Sequence, residues 1–147
     1  MISHGFKNSI VNKETLSVVY DLCLDFLNTD AKKSNYYPNI HEKVKQISDL
    51  IDSQILNIVS KLLNVNTPIL MASELHLQSA GCPPIPPHQD NFYHCIDPDK
   101  GVKILIPFQP IDKDNGGLVF LDNDIFDPVL EHSPSSSPNF SSYIERD

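Results

Sequence analysis

The chain has 147 residues, 40% hydrophobic and 20% charged, with a formal net charge of −8. That length suits a single domain over residues 1–147 with a real core. The acidic balance argues against nucleic acid or an anionic membrane as the main partner, since both require clustered Lys and Arg. No apolar run approaches the ~18 residues of a membrane span, and Met1–Gly5 lacks the charged and apolar regions of a signal peptide. Cys23, Cys82 and Cys95 form no close pair and match no standard zinc spacing, so a reducing, cytoplasmic setting is expected.

The first half reads as helix. Leu16, Val19, Tyr20, Cys23, Phe26 and Leu27 fall at helical spacing, and Asn28-Thr29-Asp30 is a stop. Asn39 with Glu42 three residues on is a capping-box pattern. Val44, Ile47, Leu50, Ile51, Ile55, Ile58, Leu62 and Leu63 then predict one helix of almost six turns.

After Asn66-Thr67-Pro68 the pattern changes to alternation. Ile69, Met71, Leu75 and Leu77 lie on one face of a predicted strand, with Glu74, His76 and Gln78 on the other. A proline-rich loop, Gly81–Pro87, leads to Pro87-His88-Gln89-Asp90-Asn91-Phe92-Tyr93, read as the next strand. A turn at Asp97–Gly101, an apolar strand over Val102–Phe108, a turn at Ile111–Gly117 and a strand beginning at Leu118–Leu121 follow. Ser133–Ser142 reads as loop. Helices followed by turn-linked strands predict an α+β chain with an antiparallel sheet.

His88 and Asp90 carry the chemistry of this pattern. In extended chain, side chains at i and i+2 share a face, with Cα atoms about 6.6 Å apart. Imidazole and carboxylate could then reach one metal ion, as two of the three donors of a 2-His-1-carboxylate facial triad for non-haem Fe(II). By chance alone His-x-Asp should occur in about half of sequences with this much His and Asp, so the surroundings must decide. His94 shares strand parity with the pair but would lie roughly 20 Å from His88 in extended chain. Phe92 and Tyr93 read as wall or core.

Four stretches in order supply those surroundings: Ser73–Gln78, the Pro-Pro-His-Gln-Asp-Asn-Phe-Tyr run, Gly101–Ile106, and Asp114-Asn115-Gly116-Gly117-Leu118-Val119-Phe120. Together they resemble the phytanoyl-CoA dioxygenase-like family of Fe(II)- and 2-oxoglutarate-dependent oxygenases. The resemblance implies a double-stranded β-helix, or jelly roll, preceded by helices. It makes His88 and Asp90 iron ligands and puts His76 and Gln78 on a strand facing 2-oxoglutarate, although many relatives carry Lys where Gln78 stands. The implied reaction couples O2 and oxidative decarboxylation of 2-oxoglutarate to hydroxylation of a small organic substrate. A carboxylate at Asp90 favours hydroxylation over halogenation, because related halogenases have a small residue there.

The family also needs a distal His and an Arg that pairs with the far carboxylate of 2-oxoglutarate. Two readings stay open. In one, His132 and Arg146 fill these roles, with Asn139 and Ser141 between them. In the other, Leu130–Ser135 is the loop after the Asn-Gly-Gly strand, the distal strands lie beyond Asp147, and the chain is the front part of a longer enzyme. On the second reading the chain by itself holds iron weakly and does not turn over 2-oxoglutarate. A non-catalytic jelly-roll or cupin-like binding domain retaining His88 and Asp90 is the alternative from another functional class.

Overall fold

The computed structural model describes residues 11–97, 100–119, 128–136 and 141–145. They fall into two compact units. The helical unit comprises the described residues through Gln78 together with Leu105–Pro110, and the loop-rich unit comprises Ser79–Ile104 and the described residues from Ile111 onward. The chain is α+β, as expected. Among the described residues its strands form two two-stranded antiparallel pairs, and no jelly roll is evident.

In the helical unit, α1 spans Lys13–Thr29. The Asn12 side chain caps it, its Oδ1 accepting from Glu14 N–H at 2.8 Å and Thr15 N–H at 3.2 Å, which satisfies two of the donors a helix start leaves open. The expected stripe faces inward: Val19 and Cys23 are buried, with Leu16, Phe26 and Leu27 packed beside them. Ile40, Val44, Ile47, Leu50 and Leu75 complete this core.

The expected six-turn helix is instead three pieces: α2 at Ile40–Lys43, a 3-10 helix at Lys45–Leu50, and α3 at Ser53–Leu63. The buried residues explain the middle piece. Val44, Ile47 and Leu50 are spaced by three, and a 3-10 helix, with three residues per turn, puts such positions on one line. Asp52 then restarts the chain as an α-helix, its Oδ1 accepting from Gln54 N–H at 2.9 Å and Ile55 N–H at 3.0 Å.

The predicted capping box does not form. Asn39 sits at φ 51° and ψ 42° and makes no side-chain cap bond, whereas an N-cap residue normally has extended geometry. The cap comes from Ser73. Its carbonyl accepts from Ile40 N–H at 3.2 Å, and its hydroxyl accepts from His41 N–H at 3.0 Å while standing 2.6 Å from His41 Nδ1. Strand pairing delivers Ser73 there. β1 (Tyr36–Pro38) runs antiparallel to β2 (Glu74–His76), with Pro38 opposite Glu74, so Ser73, just before β2, meets the start of α2.

The predicted strand Ile69–Gln78 is therefore only three residues long. Leu75 is buried as its parity requires, but Ile69 is 90% exposed. Its first half finds no ladder partner among the described residues. The expected strand Val102–Phe108 also does not form. Its last residues belong to the helical unit, where Ile106 and Phe108 alternate onto the core. Phe108 lies 5.6 Å from Tyr20, ring to ring, and Gln109 Nε2 donates to Tyr20 Oη at 2.9 Å.

In the loop-rich unit, the run from His88 is not a strand. α4 occupies Asp90–His94. The turn expected at Asn115-Gly116-Gly117 is present and tightly tied: Gly117 N–H donates to Asp112 O at 2.8 Å, and Asp112 N–H donates to Asn115 Oδ1 at 2.7 Å. A Cβ on Gly117 would lie 2.5 Å from Asp112 O, so only glycine fits. Leu118 and Val119 are not in a strand, and Phe120 and Leu121 lie outside the described residues. Ser133–Ser142, expected as loop, contains β3 (Ser133–Pro134) and the start of β4 (Ser142–Tyr143), which pair antiparallel. Ser and Pro carry little strand signal, so this short pairing had no signature in the sequence.

Candidate metal centre

Gln89 arranges the two candidate ligands. Its backbone is extended, at φ −111° and ψ 127°, so His88 and Asp90 project to one side although α4 begins immediately afterward. The same-face argument thus holds over three residues without a strand. His88 Nε2 lies 3.4 Å from Asp90 Oδ1, with the two side chains 23% and 16% exposed.

His88 is oriented from behind. Its Nδ1 is 2.9 Å from Pro86 O, and a carbonyl only accepts, so Nδ1 carries the proton and Nε2 faces the carboxylate. Metal-binding imidazoles are commonly held in this way, the remote N–H on a backbone carbonyl and the other nitrogen presented forward. A first-row metal bonded to both atoms at about 2.1 Å would hold them roughly 3.0–3.4 Å apart. The observed separation is compatible with such a chelate and equally with an ion pair.

The electrostatics of the pair are mutual. The bond to Asp90 raises the His88 pKa above its ordinary 6.5, against burial, with Pro86 O adding to the rise. His88 in turn lowers the Asp90 pKa from 3.8 to about 2, also against burial, with help from Lys103. Lys103 Nζ lies 3.2 Å from Asp90 Oδ1, the same oxygen that faces His88.

Aromatic rings and a second histidine surround the pair. The Tyr93 ring meets His88 edge to face at 6.0 Å, and Tyr93 Oη lies 2.9 Å from both Ser142 O and Ser142 Oγ. Phe92 stacks on His132 at 3.9 Å, 15° from parallel. Phe92 and Tyr93, expected as wall or core, are both 37% exposed; Tyr93 flanks His88, and Phe92 packs on His132 and Tyr93.

His132 is committed elsewhere. Its Nε2 accepts from Gln89 N–H at 3.1 Å, and its Nδ1 donates to Leu130 O at 2.9 Å. Both ring nitrogens hold backbone. The helix α4 brings His94 nearer than an extended chain would, yet no group of three His, Cys, Asp or Glu side chains able to hold a metal occurs among the described residues. Arg146 and Asn139 lie outside them.

The expected 2-oxoglutarate residues His76 and Gln78 are both exposed and belong to the helical unit. His76 Nε2 lies 3.2 Å from Glu74 Oε2, and Tyr36 Oη donates to Glu74 Oε1 at 2.8 Å. Burial, then the bond to Glu74, pushes the Tyr36 phenol up to about 12.

Sequence reasoning did not single out Lys103, Pro86 O or the anchoring by Gln89. The Gln89 side chain accepts from Leu130 N–H at 2.6 Å and reaches Pro128 O at 3.4 Å, so it spans the 128–130 backbone. Its place between two candidate ligands was a signal that it faces the opposite way. No family model, curated protein or solved structure matches this chain.

Proposed function

We propose that this chain carries the histidine–carboxylate arm of a mononuclear Fe(II) centre in a 2-oxoglutarate-dependent dioxygenase of the phytanoyl-CoA dioxygenase-like type, acting on a small organic substrate. One observation carries the reading: His88 Nδ1 is tied to Pro86 O while Nε2 is turned to within 3.4 Å of Asp90 Oδ1. A neutral imidazole nitrogen and a carboxylate oxygen are the donor types of that centre. The iron, with O2 and 2-oxoglutarate, supplies the oxidising chemistry when bound.

The chain's own residues then have defined tasks. His88 and Asp90 hold the metal from one side, and the Tyr93 ring flanks His88. The resemblance alone assigns His76 and Gln78 to 2-oxoglutarate, and both belong to the helical unit. On this reading the third ligand joins from elsewhere, since among the described residues no third His, Cys, Asp or Glu completes a metal-holding group with the pair. The family's double-stranded β-helix and a cytoplasmic setting belong to the same reading. Among the described residues no helix is long and apolar enough to cross a membrane.

A second reading is a non-catalytic binding domain in which His88, Asp90 and Lys103 form a structural ion cluster. The Lys103 contact with Asp90 favours it. Divalent-metal binding and Fe(II)-dependent consumption of 2-oxoglutarate separate the two. Metal binding lost in both His88→Ala and Asp90→Ala is expected. Binding unchanged in both variants rejects the metal centre.

A further inference from the structure

We propose that Lys103 is a resident cation of the His88–Asp90 site, which a divalent metal must displace in order to bind. This inference rests on the metal-centre reading above and adds a control on loading. Asp90 Oδ1 is approached by two groups at once, His88 Nε2 at 3.4 Å and Lys103 Nζ at 3.2 Å. The oxygen that a chelated metal would use is therefore already neutralised by an ammonium from the same chain.

A metal bonded to Oδ1 and Nε2 would bring a double positive charge within a few ångströms of that ammonium. Asp90 is only 16% exposed, so solvent and salt screen the repulsion less than at a surface. Lys103 is 47% exposed, and its flexible four-carbon stem can carry the charge out to water. The lysine is thus displaceable. It sets a threshold that metal concentration has to exceed.

Lysine suits this task better than arginine would. An ammonium is a compact point charge, whereas a guanidinium can clamp a carboxylate through two parallel bonds. Only the charge of Lys103 is needed for the competition.

The test is titration of Mn(II) into the full 147-residue chain, followed by loss of the free-ion electron paramagnetic resonance signal. The chains compared are the parent, Lys103→Met, Lys103→Arg, His88→Ala and the double variant Lys103→Met/His88→Ala. Lys103→Met is expected to tighten Mn(II) by about five- to tenfold, from loss of a competing ion pair and of like-charge repulsion. Lys103→Arg, with the charge kept, is expected to stay within about twofold of the parent or bind more weakly. The double variant is expected to lose the gain.

If the parent binds in a His88-dependent way and Lys103→Met does not tighten it, the competition is overturned and the metal centre stands. If the gain survives in the double variant, it arises elsewhere and the competition is again overturned. If no chain binds in a His88-dependent way, both readings fall. Circular dichroism of each variant confirms that the fold is kept, and a gain in Lys103→Arg equal to that in Lys103→Met also overturns the charge argument.

Discussion

Gln89 N–H donates to His132 Nε2 at 3.1 Å, so the peptide group between His88 and Asp90 is held by the ring of the other histidine in this unit's site. The His132 ring is itself fixed by Leu130 O and by the face of Phe92. His132 therefore positions the pair without pointing at it.

His132→Ala should strand a part-buried N–H and remove an aromatic stack, costing about 2–3 kcal/mol. Chemical denaturation measures this. Mn(II) affinity in His132→Gln, which retains an acceptor, should stay within about twofold of the parent. A tenfold loss there would restore His132 as a metal ligand.

Gln89→Ala should release the 128–130 backbone. Leu130 N–H loses its 2.6 Å acceptor, at a cost of about 1–3 kcal/mol for a part-buried donor. Hydrogen exchange at the Leu130 amide is the direct measurement, and unchanged protection there would show that Gln89 is not the anchor.

The pair gives the metal-free chain a defined pH range. Folding lowers the Asp90 pKa from 3.8 to about 2, so its contribution is complete above about pH 4 and is lost as pH falls toward 2. That shift corresponds to about 2 kcal/mol at most. His88 is raised above 6.5, so its contribution is complete below that value and is lost as pH rises through the raised pKa. Stability from this pair should therefore be greatest between about pH 4 and 6.5. Melting temperatures across pH should show that plateau in the parent and lose both flanks in Asp90→Asn. Metal binding runs against the same proton on His88, so affinity should weaken as pH drops.

The cap of α2 can be assigned by substitution. Ser73→Ala should cost about 1 kcal/mol, as loss of a capping oxygen does. Asn39→Gly should be neutral or stabilising by up to about 1 kcal/mol, because φ 51° suits glycine. Thermal melts of the two variants check the contrast, and a larger loss from Asn39→Gly than from Ser73→Ala would return the cap to Asn39.

The elements legible in the sequence are those whose signal is local. The stripe of α1 and the Asn-Gly-Gly turn came through because periodicity and backbone freedom act over a few residues. The partition of residues 40–63 did not, because positions 44, 47 and 50 fit both a helical stripe and a three-residue repeat. The two disagree only in pitch, and Asp52 was the unused marker of a restart. Strands were over-read wherever alternation lacked a partner: Ile106 and Phe108 alternate inward without a ladder. At the site, the shared face of His88 and Asp90 was legible because it depends on one extended residue. Lys103 was not, since its approach to Asp90 depends on how the twelve intervening residues turn.

The stretch Leu105–Pro110 makes the chain's bookkeeping of units discontinuous. The helical unit receives Ile106 and Phe108 only after the polypeptide has passed through Ser79–Ile104 of the loop-rich unit. A fragment cut at Gln78 would therefore expose apolar surface that the intact chain covers. A nick within residues 79–104 would leave the helical unit as two pieces with no covalent link, held by packing and the Gln109–Tyr20 hydrogen bond. Fragment complementation with a peptide spanning 105–110 would be the natural way to see that dependence.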